Sequence, residues 1–253
     1  SPVTLTWENG SGLTFRRQLS INDDYMITVD DSVESALSAP LTLFPYGLVR
    51  RHGTPATTGI YILHEGALGV FDETLREEDY DDMRDADGGV SEIRPEMAGG
   101  WIGFTDKYWL AALLPDQSAN MNFAFKSLAG ASDRYQVDYI ASEASVLPAG
   151  GVVSSQTRLF AGAKKVSLLD GYADELGIAN FDLAIDFGWF YFLTKPFFYA
   201  INWLNSLLGN FGLAVLAFTI VVKLIFFPLA NFSFRSMAKM KAVQPEMMRL
   251  KEL

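Results

Sequence analysis

The chain has 253 residues, no cysteine and a formal charge of −10, and 49% of it is hydrophobic. Without cysteine there is no disulfide framework, thiolate chemistry or cysteine metal site, so an exported domain must be held together by its own apolar core. The charge is unevenly spread: residues 187–253 carry seven basic and two acidic side chains, leaving 13 basic and 28 acidic to residues 1–186. So acidic a bulk, with no basic stripe, excludes a nucleic-acid-binding domain.

From Val3 to about Ala161 the sequence reads as short strands: VTLTW, LTFRRQLSI, YMITVDDSV, LTLFPYGLV, GIYILHEGALGVF, WIGFTDKYWLAALL, MNFAFKSL, YQVDYIA and VVSSQTRLFAG. Turn residues separate these runs at roughly regular spacing, which predicts an all-β sandwich or barrel. Alternation of Tyr25, Ile27 and Val29 with Met26, Thr28 and Asp30 predicts half-buried antiparallel strands. The acidic run EEDYDDMRDADGG, residues 77–89, does not have calcium-loop spacing. With Asp87 and Gly88 at the fifth and sixth loop positions, Met83 and Arg94 fall where carboxylates are required, so the run reads as a solvated loop. His52 and His64 have no third ligand nearby, and Gly99, Gly100 and Gly103 do not open a helix after a strand. No nucleophile elbow, Ser-His-Asp order or P-loop is present, so neither enzyme chemistry nor a cofactor is expected. KKVSLLDGYADELGI places Val166, Leu169, Tyr172 and Leu176 at helical spacing, predicting an amphipathic helix that closes a domain of residues 1–180.

The next stretch, FGWFYFLTKPFFYAINWLNSLLGN at 187–210, is dense in aromatics. Such rings suit a membrane interface, where their bodies are buried and their polar edges stay wet, so residues 181–206 read as an interfacial amphipathic helix. Pro196 is expected to break or begin a helix there. Phe211 to Ala230, FGLAVLAFTIVVKLIFFPLA, is apolar over about 30 Å of helix, the thickness of a hydrocarbon core, and predicts a transmembrane helix at 207–231. Residues 232–253 then read as the start of a basic cytoplasmic helical hairpin. Arg235, Lys239, Lys241, Arg249 and Lys251 follow the span directly, and the positive-inside rule puts them in the cytoplasm. Residues 1–186 then lie across the membrane, in a bacterium the periplasm. The chain begins without a Met or signal peptide and ends within a helical pattern, so it is expected to be a piece of a longer protein with an upstream anchor.

Lys223 is the one charge inside the apolar run. Thirteen Leu, Ile, Val or Phe residues, at about −0.3 to −0.6 kcal/mol each, outweigh about +2.5 to +3.5 kcal/mol for a central lysine, so insertion is favoured. Thr219 lies one turn earlier on the same face, giving a short polar stripe, and Pro228 frees the Leu224 carbonyl and is expected to kink the helix. Three fates are open to a lysine about 18 Å along the helix: snorkelling to the cytoplasmic surface, pairing with another helix, or facing a hydrated cavity. Beyond the span, Met237, Met240, Met247 and Met248 form either half of a helical hairpin or a soft surface for varied apolar sequences.

FDLAIDFGWFYFLTKPFFYAINWLNSLLGNFGLAVLAFTIVVKLIFFPLANFSFRSMAKMKAVQPEM, with GNFG, Phe227-Pro228, SMAKM and QPEM, resembles the YidC membrane protein insertase family of the Oxa superfamily. GGWIGFTDKYWLAALLP and TRLFAGAKK resemble its large periplasmic domain. The resemblance implies a mainly β periplasmic domain, a twisted β-supersandwich, followed by α-helical membrane segments in the bacterial inner membrane. It implies an insertase that moves hydrophobic segments into the bilayer, alone or beside the Sec translocon. Its implied partners are nascent membrane proteins, SecYEG, SecDF, and ribosome or signal recognition components. In the family a positive residue, usually arginine, sits in a hydrophilic groove, and the matching position here is Lys223, with Thr219 beside it. Met237, Lys239, Met240 and Lys241 fall where the hairpin makes its contacts. Lysine keeps the charge but loses the planar guanidinium fork, so bidentate contacts are unavailable. A reading from another class is a membrane-tethered periplasmic carbohydrate-binding module, with Trp101, Tyr108 and Trp109 stacking on sugars.

Overall fold

The computed structural model describes residues 1–57, 63–128, 130, 133–188 and 190–251, with side chains only as far as 240. It divides into two units, Ser1–Asp186 and Phe187–Leu253. The first is mostly antiparallel β. Its strands are β1 (Val3–Glu8), β2 (Leu13–Ile21), β3 (Met26–Ser35), β4 (Leu41–Leu43), β5 (Tyr46–His52), β6 (Gly66–Phe71) and β7 (Thr74–Asp79). After a short helix α1 (Tyr80–Asp85) come β8 (Val90–Ala98), β9 (Trp101–Thr105), β10 (Trp109–Leu114), β11 (Asn120–Ser127), β12 (Arg134–Ala141), β13 (Ser145–Leu147) and β14 (Val152–Ala163). An eight-stranded sheet runs β1-β2-β3-β14-β10-β9-β6-β7, a four-stranded sheet runs β5-β12-β11-β8, and β13 pairs with β4.

Two core clusters account for the sequence pattern. One face of β6, β9 and β10 sends Ala67, Phe71, Ile102, Phe104 and Leu113 against Phe123, Phe125, Tyr135, Val137 and Tyr139 of the four-stranded sheet. The other face sends Leu68, Val70, Trp101, Leu110, Ala112 and Leu114 into a second cluster. That cluster is closed by Leu169 and Tyr172 of α2 (Val166–Leu176) and by Phe181 and Ala184 of a 3-10 turn. Strands covered on both faces read as continuous apolar runs, which is why WIGFT and WLAALL show no alternation. Gly100, at φ 94°, lies where a Cβ would collide with the Val70 carbonyl oxygen, so only glycine admits this approach of β9 to β6.

Several expectations are corrected. LTLFPYGLV is two strands, β4 and β5, broken at Phe44 and Pro45, and WIGFTDKYWLAALL is the β9–β10 hairpin. The acidic run is not a solvated loop: its start completes β7, and α1 drives Tyr80 and Met83 into the core at 3% and 0% exposure. β3 is half-buried along most of its length, with Met26 and Ser35 buried at its two ends and Met26 joining the second cluster. Residues 59–62 of the GIYILHEGALGVF strand lie outside the described residues.

The second unit is helical. α3 (Tyr191–Leu208) contains Pro196 at its sixth position, so the proline neither breaks nor begins the helix. Gly209, at φ 64°, ends α3 in the left-handed conformation and its N–H donates to the Asn205 carbonyl at 2.8 Å. Asn210 then caps α4 (Phe211–Lys251), its side-chain oxygen accepting from the Leu213 N–H at 3.1 Å. The GN pair is thus a C-cap followed by an N-cap. It turns the chain tightly enough for Phe197 and Phe218 to meet with ring centroids 5.1 Å apart. α4 continues past Pro228.

Candidate functional site

α4 supplies the candidate site. Its segment Phe211–Met240 is long and apolar enough to cross a membrane. Leu213, Leu216, Ile220, Leu224 and Phe227 are all more than half exposed on it, as suits a helix surrounded by lipid or by other apolar helices. Lys223 is the sole charge before Arg235. Thr219 and Lys223 are four apart, hence on one face, and both are exposed. The Thr219 hydroxyl donates to the Val215 carbonyl at 2.8 Å, which satisfies its proton within the helix and leaves its oxygen able to accept from water. Among the described residues no carboxylate pairs with Lys223. An ammonium on an apolar helix with only a hydroxyl beside it needs water or an anionic partner from outside this chain's described residues.

Met237 and Met240, three apart, share one face and are 47% and 69% exposed, and Lys239 projects from a neighbouring position. The side chain of Lys241 lies outside the described residues, as do those of Met247 and Met248. Trp189, one of the aromatics expected at a membrane interface, is also outside them, whereas Phe190, Phe192 and Trp203 are 64%, 74% and 65% exposed. Lys195 lies over the Tyr191 ring and donates to its hydroxyl at 3.0 Å, one turn away on α3.

In the first unit the aromatics considered for sugar stacking do not form a platform. Trp101 is fully buried, with its indole N–H donating to the Ala179 carbonyl at 3.2 Å and its ring edge-on to Phe181. Tyr108 and Trp109 are exposed at the β9–β10 turn, 64% and 58%. Sequence reasoning missed a polar cluster at this end of the sandwich. There Lys164 donates to the Thr105 hydroxyl at 2.7 Å, and burial pulls its ammonium below the usual lysine range against the attraction of Asp106, Asp186, Glu65 and Glu77. These residues are scattered over the sequence, and the pairing of β14, β10, β9, β6 and β7 side by side brings their strands together.

Comparison with known proteins bears on both units. A family model described as the YidC periplasmic domain matches residues 1–200, and one described as the 60Kd inner membrane protein matches residues 203–253. A membrane protein insertase YidC of Nitrobacter hamburgensis is 49% identical, covering 100% of this chain and 42% of its own length. Those of Methylobacterium nodulans and Beijerinckia indica are 50% and 46% identical, over 99% and 100% of this chain and 42% and 41% of their own. The chain therefore spans about two-fifths of the length of the curated relatives it matches. Among solved structures, a galactose mutarotase-like protein of Lactobacillus casei superposes with a TM-score of 0.44 at 9% identity, covering 64% of this chain and 69% of its own.

Proposed function

The chain belongs to the YidC membrane protein insertase family, and from that premise we propose that it is the periplasmic and first groove-forming part of a protein that inserts hydrophobic segments into the bacterial inner membrane. In this reading residues 1–186 are periplasmic, α3 lies along the periplasmic surface of the inner membrane, α4 crosses, and the basic segment after it reaches the cytoplasm. Residues 232–253 begin the cytoplasmic hairpin, where Met237, Lys239, Met240 and Lys241 meet incoming apolar segments or the chain's own second hairpin strand.

The observation that carries the reading is Lys223, a charge about 18 Å along an otherwise apolar helix with Thr219 on the same face. A substrate's polar tail must cross a low-dielectric slab, and the cost of removing its charges from water opposes that crossing. A hydrated groove reaching partway into the bilayer shortens the dry path, and a cation in it attracts acidic tails. Lysine suits this task as a compact point charge; contacts that need a guanidinium fork are not part of it. No nucleotide or metal enters the scheme. Nascent membrane proteins are the substrates, delivered directly by ribosome or signal recognition components or passed on from the Sec translocon, SecYEG with SecDF.

The test is reconstitution of the complete protein in liposomes, with a single-span substrate translated in their presence and its short tail challenged by protease. The expected result is tail protection well above protein-free liposomes. Equal protection in both would overturn the proposal.

A further inference from the structure

Among the described side chains of α4, Ala214 alone is buried, at 0% exposure. α3 is packed on this part of α4, and its half-buried residues Phe197, Ala200, Ile201 and Leu204 recur three or four apart, hence on one face. Only Gly209 and Asn210 separate the two helices, and Phe197 meets Phe218 one turn beyond Ala214. The first two turns of α4 are therefore held against α3 at both a small residue and an aromatic pair. A small residue at a helix crossing lets two backbones approach closely, whereas a larger side chain there holds the axes apart or turns one helix about its axis.

That contact fixes a direction. Ala217, Phe218 and Val222, each half-buried, lie within about a quarter turn of Ala214 around the helix. Lys223 follows Ala214 by nine residues, which at about 3.6 residues per turn is two and a half turns, so it points to the opposite side. Thr219 flanks it there, about 140° round from Ala214. We propose that Ala214 is a positioning residue for Lys223: its small side chain seats α3 close on α4 and so fixes the rotation of α4, holding the Lys223–Thr219 stripe on the face away from α3. This role rests on the reading of Lys223 as the charge that assists insertion, and it adds the side from which a substrate's polar tail reaches that charge. Rotation matters because a lysine turned toward α3 would meet the Phe197 row, where apolar side chains replace the water its ammonium needs and an acidic tail is kept at a distance.

Two measurements test it. The chain has no cysteine of its own, so a nitroxide can be placed at Val222→Cys alone. In the chain incorporated in bilayers that label should be immobilised beside α3. Ala214→Leu should release it, and Ala214→Gly, which keeps the close approach, should not. In the complete protein reconstituted in liposomes, Ala214→Leu should lower the preference for acidic over neutral tails several-fold, whereas a loss of folded protein slows every substrate equally. Adding Ala214→Leu to Lys223→Ala should slow insertion no further, since a residue that acts through Lys223 then has nothing to act on. An unmodified protein that inserts nothing would overturn the reading of Lys223 and this role with it. With the unmodified protein active, an unmoved nitroxide in Ala214→Leu, equal slowing for all tails, or additive losses in the double variant would overturn the positioning role alone.

Discussion

Tyr80 shows how one residue ties burial to pH. Its hydroxyl accepts from Arg51 at 3.0 Å, the same guanidinium forks onto Asp106 at 2.8 and 3.0 Å, and its ring packs 4.8 Å from that of Tyr135. Burial pushes the phenol up to about 12, against the lowering influence of Arg51. A folded-state value above the ordinary 10 means stability that is full below pH 10 and lost as pH rises through 12. Alkaline spectrophotometric titration should therefore show Tyr80 ionising only as the fold is lost. Tyr80→Phe should remove about one proton's worth of the pH dependence, of order 2–3 kcal/mol across that window. Asp138 makes a second case. It is 4% exposed and takes both oxygens to Lys126 Nζ at 2.8 Å. Lys126→Ala should cost about 1–3 kcal/mol by leaving the buried carboxylate without its cation and with the Gln136 amide as a remaining donor, and adding Asp138→Asn should recover part of it in a denaturant melt. Neither arrangement is legible in the sequence, where Tyr80 sits in an acidic run and Asp138 interrupts an apolar strand. A charge pattern alone does not distinguish a wet carboxylate from a buried one whose partner lies on the adjacent strand.

Elements were legible in proportion to how local their causes are. The helix α2 and the strands β1, β2, β11, β12 and β14 follow from periodicity, because one face of each is buried or their β-branched and aromatic content is high. β7 and β8 were not seen, since TLREED and VSEIRPEMA are polar edges whose pairing is decided by the neighbouring strand. Pro196 was over-read as a breaker, and α4 likewise runs on through Pro228. A proline removes one hydrogen bond, and an apolar helix of 18 or 41 residues with its other bonds intact tolerates it. For α3 the exposed Phe190, Phe192, Tyr199 and Trp203 lead to a prediction of orientation. Spin labels along 190–208 of the chain in bilayers should report one shallow depth modulated at the helical period. A steady progression to the bilayer centre would show that α3 crosses instead.

For the whole molecule, the charge split at residue 186 coincides with the boundary between the two units. The first unit has two apolar clusters of its own and should fold alone: residues 1–186, expressed separately, should give a β-type circular dichroism spectrum and one cooperative melt. A molten, non-cooperative profile would contradict that. The sandwich could be read from the sequence because many short runs share one core; the site could be read only as one lysine and one threonine on a helix. The groove proposed for them needs further helices, and this chain spans about two-fifths of the length of the relatives it matches. The central claim, that the charge of Lys223 assists insertion, is tested most directly by insertion rates in the complete protein with substrates of differing tail charge. Lys223→Arg should be near neutral and Lys223→Ala impaired. Lys223→Glu should be slowest for acidic tails, by about tenfold, the factor that ~1.4 kcal/mol of lost attraction gives. Unchanged rates for Lys223→Glu across all substrates would contradict the account.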